Sequence, residues 1–172
     1  MTLGVLILRI VVGLTMAAHG SQKLFGWFGG PGRRGTAGMF GQLNFRRPLA
    51  MAALAGLSEF GGGVLLALGL LTPLAAVAIA VVMINAIWTV HIRNGFFATA
   101  GGYEFNLVLI AAVAAISAIG PGRASLDHAL GIAGDLSGAW WAVAVVVAAA
   151  VVSFVTLTFG REHEHLAGHP AH

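Results

Sequence analysis

Two charges of opposite sign stand inside stretches that are otherwise apolar enough to cross a membrane: Arg9 within residues 3–18 and Glu59 within residues 49–71. A charge in hydrocarbon costs at least about 2.5–3.5 kcal/mol, so such residues mark a partner, a ligand or a proton path. Their signs and similar depths predict a buried ion pair, Arg9–Glu59. A second polar set gathers at the ends of the same stretches: His19 and Lys23, then His91 and Arg93, then Glu104 and Asn106. Asn85 lies about 12 Å deeper than Arg93 at helical rise. Depth alone predicts a track from Lys23 and Glu104, past His91 and Asn85, to Glu59 and Arg9. The chemistry open to it is hydrogen bonding to a polar headgroup and proton or ion transfer. Arg9, His19 and Lys23 are donors, and Glu59 or Glu104 could relay protons. Each residue also has a purely structural role open to it. The ion pair can fix helix register, Asn85 can bond between helices, Glu104 can favour a helix N-terminus, and Lys23 and Arg93 can snorkel.

The elements that must position these residues follow from composition. The 172 residues are 58% hydrophobic and only 9% charged, against about 25% charged in a soluble domain. Too little polar surface exists to coat a globule in water, so the solvent is a lipid bilayer. Five segments approach the roughly 20 apolar residues of a spanning helix: residues 3–20, 49–71, 73–92, 104–120 and 139–159. The first lacks a basic leader and carries Arg9, so it is expected to be retained rather than cleaved. The fold class is all-α, a polytopic transmembrane helix bundle. In the first helix Arg9, Gly13, Met16, Gly20 and Lys23 fall within about 40° of one line. The glycines on that line permit close approach by a neighbour. Ser125 is placed to cap a short helix over residues 125–130, which Gly131 would end.

Lys23, Arg33, Arg34, Arg46, Arg47, Arg93 and Arg161 share one side of a five-span chain, and Arg123 alone occupies the other. The positive-inside rule then predicts an outward N-terminus and a C-terminus in the cytoplasm. Because the basic residues flank spans, nucleic acid is not an expected partner. The loop over residues 21–48 interleaves Phe25, Trp27, Phe28, Phe40 and Phe45 with glycine and arginine, which suits an interfacial or re-entrant segment. Its Arg33, Arg34, Arg46 and Arg47 form a candidate partner-binding surface. Absence of cysteine excludes thiolate and disulfide chemistry within the chain. His163, His165, His169 and His172 in the tail are weak metal candidates, since their spacing matches no structured motif. No metal site is expected, and haem held by His19 and His91 is disfavoured.

Several runs together carry a family resemblance: LILRIVVGLTMAAHGSQKLFGWFGG, SEFGGGVLLALGLLTPLAA, and HIRNGFFATAGGYEFNLVLIAAVAAISAIGPGRASLDHAL. They resemble the DoxX family of small bacterial membrane proteins over about residues 3–130. The resemblance implies a four-helix core over 1–130, to which this chain adds a fifth transmembrane helix over 131–160 and a His-rich tail over 161–172. It implies residence in the bacterial plasma membrane and association with redox, sulfur-compound or oxidative-stress chemistry. Arg9, His19, Lys23, Glu59, Glu104 and Asn106 are the family-type polar positions.

Three functions follow as expectations. One is a redox-associated membrane subunit that handles a quinone, with electrons brought by a soluble redox enzyme at the cytoplasmic face. The second is a non-enzymatic scaffold that recruits such an enzyme through the basic loop. The third is a small transporter using the polar track. The catalytic residues, the substrate and the formation of a homo-oligomer are left open by the sequence.

Overall fold

The structure, a computed structural model, describes residues 2–162. The four tail histidines therefore lie outside the described residues. The chain forms α1 (Thr2–Phe25), α2 (Gly32–Gln42), α3 (Pro48–Leu68), α4 (Thr72–Ala86), α5 (Glu104–Ile119), the short α6 (Leu126–Ala129) and α7 (Ala139–Phe159). α4 does not end at Ala86. It runs on through a π turn, Ile87–His91, and a 3-10 turn, Ile92–Asn94.

Local chemistry explains the ends. Pro48 and Pro73 sit in the first turns of α3 and α4, where a missing N–H costs nothing. Ser125 accepts from the His128 N–H at 3.2 Å and opens α6. Gly131 follows it at φ +76°. The short helix expected at residues 125–130 is thus present, one residue narrower at each end.

Among the described residues, four helices have the length and composition of membrane spans: α1, α3, α4 with its extension, and α7. α5 is shorter, with 16 residues, or about 24 Å. It nevertheless runs from one end of the bundle to the other. At its start Glu104 N–H donates to Phe96 O at 2.9 Å, beside the end of α4. Just beyond its end Pro121 lies against α1, near the α3–α4 turn. The molecule is an all-α polytopic membrane protein.

α1 and α3 make the most extensive helix pair. Their backbones touch because glycine faces glycine. A Cβ added at Gly13 would stand 2.6 Å from the Gly63 carbonyl oxygen and 2.7 Å from the Ala67 nitrogen. α4 packs on α3, α5 and α7 and is the hub. Met16, Leu66, Ile79, Val113, Ile116 and Val145 form the buried core around it. Leu3, Ile7 and Leu14 of α1, with Val143, Val147 and Phe154 of α7, are exposed. An apolar exterior of this kind faces lipid.

Candidate functional site

The bundle holds two buried polar clusters, one toward each end. The first lies at the α3–α4 turn. Arg9 is 1% exposed and donates to three carbonyl oxygens: Pro121, Ala124 at 2.7 Å and Ala67 at 3.3 Å. Its Nε has no partner among the described residues. Asp127, fully buried, accepts from the Leu71 N–H at 2.7 Å, the Thr72 N–H at 3.1 Å and the Thr72 hydroxyl at 2.7 Å. That caps the N-terminus of α4 from another part of the chain. Gly69 permits the crossing, because a Cβ there would meet Arg9 Nη1 at 2.6 Å. Arg9 and Asp127 thus clasp the segment after α5 onto α1 and the α3–α4 turn. Asp127 was not singled out from sequence as a site residue. Its signal was the SLD run, in which Ser125 opens a helix and the carboxylate two residues on is left to bond elsewhere.

The second cluster lies toward the basic end. Glu59, with a side chain 2% exposed, forms an ion pair with Lys23, whose side chain is 23% exposed. Glu59 Oε2 has no partner among the described residues. The pair expected from sequence, Arg9–Glu59, is therefore replaced by Lys23–Glu59. Register is the reason. Gly13 meets Gly63 and Ala67, and Gly20 meets Gly56 and Phe60. In that alignment Arg9 reaches Ala67 and Glu59 sits opposite the stretch around Gly20. Arg9 and Glu59 then differ by roughly ten residues, about 15 Å, along the helix axis.

Lys23 also lines a cavity of about 470 Å³ among α2, α3, α4 and α7. Its walls are mainly apolar, with Phe40, Leu54, Val82, Val155 and Phe159 contributing. Leu54, Val155 and Phe159 are exposed on the outside of the bundle, so the cavity opens toward lipid. Ser58, Asn85 and Thr89 add polar atoms. Asn85 Oδ1 is buried without a hydrogen bond among the described residues. The π turn of α4 begins two residues later. Such turns interrupt helical bonding and recur at functional sites. Here the Thr89 hydroxyl satisfies the Asn85 carbonyl at 2.8 Å, which leaves the amide side chain as the unsatisfied group.

The continuous track expected from depth is divided. Lys23 and Asn85 meet at the cavity. Asn106 is in the core, where its amide donates to the Met83 sulfur at 3.4 Å. His91 Nδ1 lies 2.7 Å from the Gly101 carbonyl oxygen. Glu104 accepts from the Ala98 N–H at 2.9 Å. These two residues close the 95–103 loop. His19 is on the exposed face of α1. Reading by depth ignores azimuth, and azimuth separates these residues. Arg33, Arg34, Arg46 and Arg47 are all exposed, flanking or lying on α2 at the basic end.

The sequence model of the DoxX family matches residues 4–92. A Bacillus subtilis protein named "Putative oxidoreductase CatD" is 33% identical over 108 residues, 63% of this chain and 72% of that protein. A Mycobacterium tuberculosis protein named "Uncharacterized membrane protein Rv3486" is 32% identical over 136 residues, 73% of this chain and 80% of that protein. No solved structure matches the chain.

Proposed function

We propose that this chain, which belongs to the DoxX family of membrane proteins, is the membrane subunit of a redox system that binds a quinone in the Lys23–Asn85 cavity. The observation that carries the reading is an apolar, lipid-facing cavity lined by Lys23 and Asn85, with Asn85 Oδ1 buried beside it without a partner among the described residues. A quinone ring needs apolar walls, a donor for a carbonyl and an acceptor for a hydroxyl once reduced. Lys23 donates to a carbonyl oxygen. Asn85 can present either its oxygen or its nitrogen by rotation about its last torsion. Glu59 holds Lys23 in place and carries a free carboxylate oxygen through which a proton can pass. Reduction to the quinol consumes two electrons and two protons. In this reading a soluble redox enzyme at the basic face supplies both electrons. The oxidoreductase name of the Bacillus subtilis relative agrees with this class of chemistry.

Purification in mild detergent, followed by solvent extraction and mass spectrometry, tests the reading. Quinone retained by the wild-type chain and lost from Asn85→Leu supports it. A second reading is a scaffold without cofactor, favoured by the four exposed arginines around α2. A stoichiometric soluble partner recovered with no quinone would support the scaffold instead.

A further inference from the structure

A second cavity of about 430 Å³ opens beside the first and shares Leu43 and Thr89 with it. Its character is different. Arg93 and Arg161 line it together with Gln42, Asn44 and Trp88. The two arginines are far apart in sequence and reach the cleft by separate devices. Arg93 lies in the 3-10 turn that follows the π turn of α4. The added residue of a π turn shifts every later side chain around the helix axis. Arg161 follows α7 and is held from two sides. Its Nε donates to Leu43 O at 3.0 Å, and its guanidinium lies 5.9 Å from the Phe45 ring centroid. The strand-like bridge Phe45–Arg161 secures the backbone, with Arg46 N–H donating to Gly160 O at 2.9 Å and Glu162 N–H to Asn44 O at 2.8 Å. This packing leaves both Nη groups of Arg161 without a hydrogen-bond partner among the described residues. Neither arginine meets a carboxylate there among the described residues.

We infer that this cleft binds the phosphodiester of an anionic phospholipid. Two guanidiniums, one already oriented through Nε, match a tetrahedral oxyanion, which they can engage bidentately. The side-chain amides of Gln42 and Asn44 add neutral donors for the remaining headgroup oxygens. Depth selects a lipid over a soluble anion. Trp88 lines the cleft and is exposed, as is Phe159 nearby at the end of α7. Exposed aromatic rings at helix ends mark the headgroup level of a bilayer. The cleft admits a headgroup rather than a protein surface, and acyl chains leave along the exposed apolar flank of α7. The inference does not depend on a quinone in the neighbouring cavity.

The test uses the full chain in nanodiscs or detergent, with native mass spectrometry counting retained phosphatidylglycerol against phosphatidylcholine. Wild-type protein should retain phosphatidylglycerol selectively. Arg93→Gln and Arg161→Gln should each weaken retention roughly tenfold, the usual loss when a charge-assisted contact is removed. Arg33→Gln/Arg34→Gln, which neutralises exposed charge outside the cleft, should leave it within about twofold. Equal losses from the cleft and α2 variants would show diffuse attraction to a basic face and overturn the site. Displacement of the lipid by millimolar inorganic phosphate, with phosphate bound in its place, would overturn the lipid as ligand. Arg93 is exposed in a terminal turn, so Arg93→Gln carries the test if Arg161→Gln fails to fold.

Discussion

Lys23 and Glu59 form one ion pair, yet their removal should not be equivalent. Lys23→Met leaves the Glu59 carboxylate, 2% exposed, without its cation. Uncompensated buried charge of this kind typically costs about 3–5 kcal/mol. Glu59→Gln leaves Lys23, whose side chain is 23% exposed and carries its charge on a flexible four-carbon stem. Such a group can turn toward the headgroups, and the loss should be about 1 kcal/mol, as for an accessible pair. The double variant Lys23→Met/Glu59→Gln removes both charges and should recover most of the stability lost in Lys23→Met. The assay is reversible unfolding in mixed micelles followed by far-ultraviolet circular dichroism, with the four proteins compared as a double-mutant cycle. The expected result is a large loss for Lys23→Met, a small one for Glu59→Gln, and a coupling of about 3 kcal/mol. Equal single losses that simply add would refute the pairing and the burial difference on which the argument rests.

Arg9→Gln and Asp127→Ala should each destabilise by about 2–3 kcal/mol, since each leaves several buried backbone groups unbonded. Their effects should fall short of additive in the same unfolding assay, because both hold the segment after α5 against the α3–α4 turn. Gly13→Val should reduce folded yield in detergent, because a Cβ there enters the α3 backbone; Gly4→Val, in open space on the same helix, should not. Reporter fusions at Met1 and His172 should place the N-terminus outside and the C-terminus in the cytoplasm, as the arginine distribution requires. A cytoplasmic N-terminus would reverse the orientation or change the number of crossings.

Helices were the most legible level of this chain. Long apolar runs bounded by Gly, Pro and basic residues located α1, α3, α4 and α7, because in a bilayer backbone polar groups must be satisfied within the segment. The Ser125 cap and the Gly131 stop were readable for the same local reason. The partner of Arg9 was not. Its donors are spent on carbonyls of Ala67, Pro121 and Ala124, and no side-chain pattern reports a backbone acceptor distant in sequence. Glu59 was recognised as buried, but its partner depended on the α1–α3 register. That register is fixed by Gly13 against Gly63 and Gly20 against Gly56, contacts that charge and depth do not encode. Lys23 and Asn85 were both named from sequence. Their meeting at one cavity depends on α3 packing against both α1 and α4 and on α7 closing the far wall, neither of which hydropathy periodicity reveals.

Saturation binding would decide whether the cavity beside Lys23 and Asn85 holds a quinone. A short-chain ubiquinone or menaquinone analogue would be titrated onto the purified chain, with bound ligand measured after rapid separation. Ala55→Phe and Ala86→Phe would serve as cavity-filling variants, since both alanines line the walls. One saturable site is expected in the wild-type chain. Affinity should be at least roughly tenfold weaker in Asn85→Leu, where a polar contact is lost, and binding should be abolished in the two filled variants while their helicity is unchanged. Saturable binding that survives both phenylalanines would place the quinone elsewhere, and no saturable binding to the folded wild-type chain would contradict the function proposed.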